Sequence, residues 1–378
     1  MKILCFHPSL APYRLDFFNL LSERAAVKIL FLQENLYTQK FDQRALRGEL
    51  KCRHGELTRG FDIRSRCFRF GVLKAIREAK PDVVLAYEAS PVTLELVVLR
   101  KLGLIKTKIW TFMDDSPVQV KSRTGLRRVI RDWVVRNVNK VIVPSDAAKG
   151  EYERIVEVGG RSRIADEGFN RVEHVETCRN GAKYAVVPII HDTETMRRNA
   201  DKIYAAGLAW RETNCPKTWK RVLLFVGRLA EVKNLLWLIE RMHELSESIG
   251  LVLVGDGALE AELKARVSEL ELDGQVIFAG RKEGDDLYAM MSMADALVLC
   301  SHSETFGAVV AEALQWGTPC VVSNNCGAAV LIENGKNGMV FSYGDASGFA
   351  EAAGRIPSRS TRSLLPVDLP SAVDRLVG

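Results

Sequence analysis

Five strand-length apolar runs in the second half of the chain, at 222–226, 251–254, 275–279, 296–300 and 319–322, alternate with helical stretches at 233–246, 258–270, 285–293 and 305–316. No other feature narrows the fold so far. A run such as Ala296-Leu297-Val298-Leu299-Cys300 is apolar at every position, as expected of a parallel strand covered on both faces. Parallel neighbours need crossover connections, which are helical and right-handed. A looser version of the same alternation runs through the first half. Strands read there at 2–6, 27–32, 83–86, 108–112 and 140–143, with helices near 13–24, 71–79 and 91–102. The expectation is an α/β protein of two Rossmann-like domains, a size that 378 residues allow. The domains are placed at 1–195 and 196–345, with 346–378 as a C-terminal helix or tail crossing back to the first.

The motif Ser301-His302-Ser303-Glu304-Thr305-Phe306-Gly307 leads from the fourth of the five strands into an alanine-rich helix. Glu304 falls in the loop, and Glu312 about two turns into a helix expected over 305–316. At about 1.5 Å per residue the two carboxylates are about 10–12 Å apart along the axis. That spacing suits the two hydroxyl-bearing ends of a sugar nucleotide. The diphosphate between them would meet the N–H groups of Thr305, Phe306 and Gly307, where a helix dipole favours an anion. Glu304 alone reads more readily as an ordinary capping or solvated loop residue. Glu312, among Ala308, Val309, Val310, Ala311, Ala313 and Leu314, needs a partner or a ligand.

Val222–Asn234 supplies a buried strand, a turn at Gly227, and two cations, Arg228 and Lys233. Ligands of open α/β sheets bind at the carboxyl ends of strands, and a guanidinium fork beside an ammonium makes a diphosphate clamp. The plainer alternative leaves Lys233 in solvent and pairs Arg228 with Glu231. Gly255-Asp256-Gly257 lacks the third glycine of a dinucleotide fingerprint, because Glu260 stands there. Nicotinamide binding is therefore excluded, and the glycines read as a tight strand-to-helix turn. P-loop and HExxH patterns are absent, so no cofactor and no metal are expected.

Gly227-Arg228 with Lys233, Val254-Gly255-Asp256-Gly257, Ala294-Asp295, Ser301, Glu304-Thr305-Phe306-Gly307, Glu312-Ala313, Gly317-Thr318-Pro319 and Glu333-Asn334-Gly335 follow one another at fitting spacing. Together they resemble the group 1 (family 4) glycosyltransferases. The match is dense over about 220–345 and thin before it, where Pro144-Ser145-Asp146 and the Pro188 to Asp192 segment are similar to family landmarks. The resemblance implies the GT-B fold, two Rossmann-like domains facing each other across a cleft. It also implies a retaining, metal-independent transfer from a nucleoside-diphosphate sugar, UDP- or GDP-linked, to a glycan acceptor. A lipid-linked acceptor in cell-surface polysaccharide synthesis is the reading adopted. By the same resemblance Arg228 and Lys233 hold the diphosphate, Glu304 the donor sugar and Glu312 the ribose. Gly227, Thr305, Phe306 and Gly307 line the donor, and Gly280 and Lys282 frame the base. An epimerase or glycoside phosphorylase on the same scaffold, or a non-catalytic nucleotide-sugar-binding subunit, are the alternatives.

The loop Pro8–Arg14 lacks the paired glycines that the family often carries, and Met113-Asp114 stands where many members have His-Asp. His7, Arg14 and Asp114 are the candidate first-domain contacts, with Asp115 beside them; Arg14 reads either as a phosphate contact or as solvated on its helix.

Charge is lopsided. Residues 1–198 carry 36 lysines and arginines against 24 acidic residues, and 199–378 carry 17 against 23. A basic first half points to an anionic partner. Lys121–Arg136 reads as a basic amphipathic helix for an anionic membrane surface, with Arg127, Arg128 and Arg131 as its contacts, or else as a helix packed on the sheet with its cations in water. The basic stretch 40–69 reads as an acceptor loop, and its lack of interleaved stacking aromatics argues against nucleic acid. Eight scattered cysteines without CxxC spacing read as reduced thiols. With no membrane-length apolar run and an N-terminus read as a first strand, the expected place is the cytoplasm, peripheral on the inner face of the cell membrane.

Overall fold

The computed structural model describes residues 1–35, 41–63, 66–161 and 183–378. The chain forms two units, Met1–Ile189 with Leu369–Gly378, and Ile190–Asp368. The division thus falls slightly ahead of residue 195.

In the first unit, strands β1 (Lys2–His7), β2 (Ala26–Phe31) and β3 (Arg53–Glu56) are followed by a small antiparallel pair, β4 (Gly60–Ile63) and β5 (Arg66–Arg69). Then come β6 (Val83–Tyr87), β7 (Lys108–Phe112), β8 (Lys140–Val143) and β9 (Tyr184–Val186). The main sheet runs β3-β2-β1-β6-β7-β8-β9, and every pairing in it is parallel. Leu4, Phe6, Val84, Ile109 and Val141 are buried beneath helices that contribute Val72, Ile76, Leu96, Val134 and Val135.

In the second unit, β10 (Arg221–Val226), β11 (Ile249–Val254), β12 (Val276–Gly280), β13 (Ala296–Leu299), β14 (Cys320–Ser323) and β15 (Gly338–Phe341) run in the order β12-β11-β10-β13-β14-β15, all parallel. This is the doubly wound arrangement, in which the chain reverses its direction of travel across the sheet beside its first strand. The reversal lies between β1 and β6 in one unit and between β10 and β13 in the other. At such a point neighbouring loops leave the sheet on opposite sides and open a crevice at the carboxyl ends of the strands.

The segment expected to be a tail is divided. Ala346–Gly354 is a helix of the second unit, with Phe349, Ala352 and Ala353 buried. Residues 356–368 lie against that unit through Ser360 N to Gly317 O (2.8 Å) and Leu364 N to Leu314 O (2.7 Å). Gly317 is required there, because a Cβ would stand 1.9 Å from the Ser360 carbonyl oxygen. Leu369–Val377 is a helix that counts with the first unit, where the Lys140 ammonium donates to the Leu376 carbonyl at 3.0 Å. Among the described residues, no helix is long and apolar enough to cross a membrane.

Candidate active site

The loops that follow β10 and β13 flank the reversal point of the second sheet, and they are tied to one another. His302 N–H donates to the Val232 carbonyl at 2.9 Å. The Cys300 thiol lies 3.4 Å from the Lys233 carbonyl, and the Lys233 ammonium forms an ion pair with Glu304. Both charged side chains are largely covered. Two of the residues singled out in the sequence, 71 positions apart, therefore meet. Lys233 is not in solvent. Arg228 does not pair with Glu231; it is exposed and forms no ion pair among the described residues.

Glycine makes the first loop possible. Gly227 has φ 152°, and its N–H donates to Val254 O at 3.0 Å while Leu229 N–H donates to Asp256 O at 2.8 Å. A Cβ on Gly255 would stand 1.9 Å from the Gly227 oxygen, and one on Gly257 2.3 Å from the Leu229 oxygen. The Gly255-Asp256-Gly257 turn thus lets one backbone lie directly on another. Gly280 and Lys282 lie at the end of β12, the outermost strand on this side, and Gly280 O accepts from Gly255 N at 3.0 Å.

The helix after β13 begins later than its periodicity suggests. Glu304 is bridged to Cys326; its carbonyl accepts from Gly327 N at 3.1 Å, and the Phe306 carbonyl accepts from Ala328 N at 2.5 Å. Glu304–Phe306 is thus committed to extended pairing, and Gly327 permits it, since a Cβ there would sit 2.2 Å from the Thr305 oxygen. Gly307 turns the chain at φ 89°, and the helix runs Ala308–Gln315. Thr305, Phe306 and Gly307 therefore precede the helix rather than open it, and Glu312 stands about one turn in, not two. Its carboxylate lies 3.6 Å from His191 Nε2. Gln315 fixes that segment, donating to the His191 carbonyl and to Thr193 Oγ1, both at 2.8 Å. His191 was not a candidate from sequence, where only its place after Pro188 drew notice. Ser301 Oγ is buried and without a hydrogen-bond partner.

In the first unit the candidates are placed differently from expectation. Arg14 is neither solvated nor open to a phosphate. It is 2 % exposed, pairs with Asp114 at 2.5 Å and lies 4.2 Å from the Phe112 ring centre. Burying a guanidinium requires such a counter-ion. His7 is buried against Phe18, Tyr87 and Phe112. Its Nδ1–H donates to the Ser9 carbonyl at 2.9 Å, which leaves a lone pair on Nε2 with no partner. Burial, with the nearby Arg14 charge, lowers its pKa to about 3. Arg131, read as a membrane contact, is buried instead, with Glu88 at 2.8 Å and Asp115 at 3.2 Å. Of the basic stretch 40–69, Lys40 and Arg64 lie outside the described residues.

Residues 209–359 match the family model of the group 1 glycosyl transferases. That stretch, under half of the chain, is similar to the group 1 glycosyl transferases. Among curated relatives, the N-acetyl-alpha-D-glucosaminyl L-malate synthase of Bacillus anthracis is 27% identical over 136 residues, 35% of each chain. The lipopolysaccharide core biosynthesis glycosyltransferase LpsE of Rhizobium meliloti is 34% identical over 135 residues, 36% of this chain and 39% of that one. The chain thus spans little more than a third of these relatives' length. Anabaena HepE, solved in complex with UDP, superposes with a TM-score of 0.67 at 17% identity, covering 100% of this chain and 94% of its own. At that identity the likeness is one of fold, and the fold matches the GT-B type.

Proposed function

We propose that the protein transfers a sugar from a nucleoside-diphosphate donor to a hydroxyl of a glycan or lipid-linked glycan, retaining the anomeric configuration and needing no metal. The observation that carries this reading is the junction of the two switch-point loops, with Lys233 paired to Glu304 and, in the same loop as Lys233, an exposed Arg228 that forms no ion pair among the described residues. HepE, a GT-B protein solved with UDP, supports a nucleotide donor.

In this reading Arg228 and Lys233 face the diphosphate, and Glu304 accepts hydrogen bonds from sugar hydroxyls while holding Lys233 in place. Glu312, oriented by His191, takes the ribose. As the bond from the anomeric carbon to the phosphate oxygen breaks, charge builds on the departing diphosphate, and two fixed cations stabilise it. The acceptor oxygen bonds to the anomeric carbon on the face being vacated, and its proton passes to the leaving phosphate oxygen. Gly227, Thr305, Phe306 and Gly307 line the donor, with Gly280 and Lys282 toward the base.

A peripheral position on anionic membrane also belongs to the proposal. The helix Gly125–Asn137 buries Val134 and Val135 but exposes Leu126 (73 %) and Val129 (62 %) next to the exposed Arg128. An apolar pair beside a cation is the surface such membranes attract.

The test is turnover of UDP- and GDP-sugars with a glycolipid extract as acceptor, with product anomers read by NMR. Retained product with released nucleoside diphosphate is expected. A donor altered without acceptor, or a reaction that needs inorganic phosphate, would sink the transferase reading.

A further inference from the structure

The first sheet has its own reversal point, and a cavity of about 470 Å³ opens beside it, lined by residues that include Glu88, Arg66, Arg123, Arg127 and Arg131. Glu88 follows β6 directly and holds φ 50°, a left-handed backbone that costs a non-glycine residue about 1 kcal/mol or more. Two bonds keep it there: Glu88 N–H to the Phe112 carbonyl at 2.9 Å, and Thr111 Oγ1 to the Glu88 carbonyl at 3.1 Å. The side chain is thereby aimed at the cavity, against Arg131.

Charge in this cavity does not balance. Arg131 is shared between Glu88 and Asp115, and Arg123 also pairs with Asp115, whose second oxygen accepts from the Tyr152 hydroxyl. Four guanidinium groups thus line the cavity, and the carboxylates of Glu88 and the buried Asp115 engage two of them. The surplus pair, Arg66 and Arg127, is exposed and has no ion-pair partner among the described residues. They approach from different elements, β5 and the helix Gly125–Asn137. Solvated surface arginines have no reason to converge on a concave wall, whereas guanidinium forks on two sides of a cavity match the oxygens of a doubly charged phosphate.

We infer that this cavity binds the phosphate or diphosphate group of the acceptor, with Arg66 and Arg127 as its principal contacts and Glu88 receiving a neighbouring hydroxyl. That the ligand is an acceptor rests on the transferase reading; that the cavity takes a phosphate ester does not. Burial raises the Glu88 pKa to about 7, with Asp115 and Asp114 adding to the effect and Arg131 opposing it, so a second hydrogen-bonding partner would be accommodated near neutral pH. A phosphate could come from a soluble sugar phosphate or from a lipid carrier, and both offer the same chemistry.

The full chain should be titrated calorimetrically with glucose 1-phosphate, with farnesyl diphosphate, and separately with UDP, as wild type, Arg127→Glu and Arg66→Glu. Binding of at least one phosphate ester, weakened at least tenfold by each charge reversal while UDP affinity stays within twofold, is the expected result. Response to the sugar phosphate alone assigns a soluble acceptor, to farnesyl diphosphate alone a lipid-linked one, and to both an anion read by itself. UDP binding with no phosphate-ester binding, or ester binding unchanged in both folded variants, overturns the inference. Ester binding without UDP binding would overturn the transferase reading and leave this site standing.

Discussion

Gly255 lies against Gly227 so closely that a Cβ on the former would stand 1.9 Å from the carbonyl oxygen of the latter. The contact joins the ends of β11 and β10 and sets the direction in which Arg228 leaves the sheet. Gly255→Ala must displace backbone, at φ 142°, and not merely a flexible side chain. We expect a loss of at least about 2 kcal/mol. Thermal unfolding would show it as a drop of several degrees, accompanied by weaker nucleotide binding. An unchanged melting point would show that the loop can yield.

Lys233 and Glu304 have opposite roles toward a diphosphate. Glu304→Gln removes the carboxylate that occupies the ammonium, so nucleoside diphosphate should bind at least as tightly as to wild type. Sugar transfer should fall about 100-fold, the scale for losing a preorganised polar contact at a reacting centre. Lys233→Ala should weaken both. Equilibrium binding beside single-turnover kinetics separates the two effects, and loss of binding in Glu304→Gln would contradict the assignment.

For Glu312 the test lies in the ligand. If its carboxylate receives ribose hydroxyls, wild type should prefer UDP to its 2′-deoxy analogue by about tenfold, the worth of a charge-assisted hydrogen bond. Glu312→Gln should discriminate much less. Equal preferences in both proteins would return Glu312 to a purely structural pairing with His191.

Two groups, His7 buried and Glu88 half-buried, pull the acid stability in opposite directions. His7 keeps a pKa near 3 when folded and regains about 6.5 when unfolded. Its contribution is therefore present above pH 6.5 and declines below it at about 1.4 kcal/mol per pH unit. Glu88, raised to about 7 by burial, works the other way: the folded state holds its proton more tightly, so stability grows as pH falls from about 7 toward 4.5. Melting curves between pH 7.5 and 5 should show His7→Phe less acid-sensitive than wild type and Glu88→Gln more so. Parallel curves for all three would show that neither group is buried as described.

Most strands were legible to within two residues because buried parallel strands are continuously apolar, as Val222–Val226 and Ala296–Leu299 show. Among the strands not foreseen, β3 and β9 lack that signal, whereas Gly338–Phe341 carries it over only four residues. Arg53-His54-Gly55-Glu56 is polar because β3 is an edge strand, and Tyr184–Val186 has only three residues. The candidate residues of the second unit could be singled out by type, but their pairings could not. Lys233 with Glu304 and Glu312 with His191, like Arg14 with Asp114 in the first unit, join positions far apart in the chain, and periodicity reports burial rather than partners. The late start of the helix at Ala308 was hidden for a related reason. The extended pairing of Glu304–Phe306 with Cys326–Ala328 is a long-range hydrogen-bond pattern that overrides local helical preference.

The most direct test of the account is calorimetric titration of UDP and GDP into wild type and Arg228→Ala. Arg228 is exposed and forms no ion pair among the described residues, so removing it should leave the melting temperature unchanged, while a lost hydrogen bond to a charged phosphate is worth about 1.5–3 kcal/mol. The account predicts that one of these diphosphates binds wild type and that the folded variant binds it at least tenfold more weakly. Equal affinity in the two proteins, or binding of neither diphosphate by wild type, would contradict it.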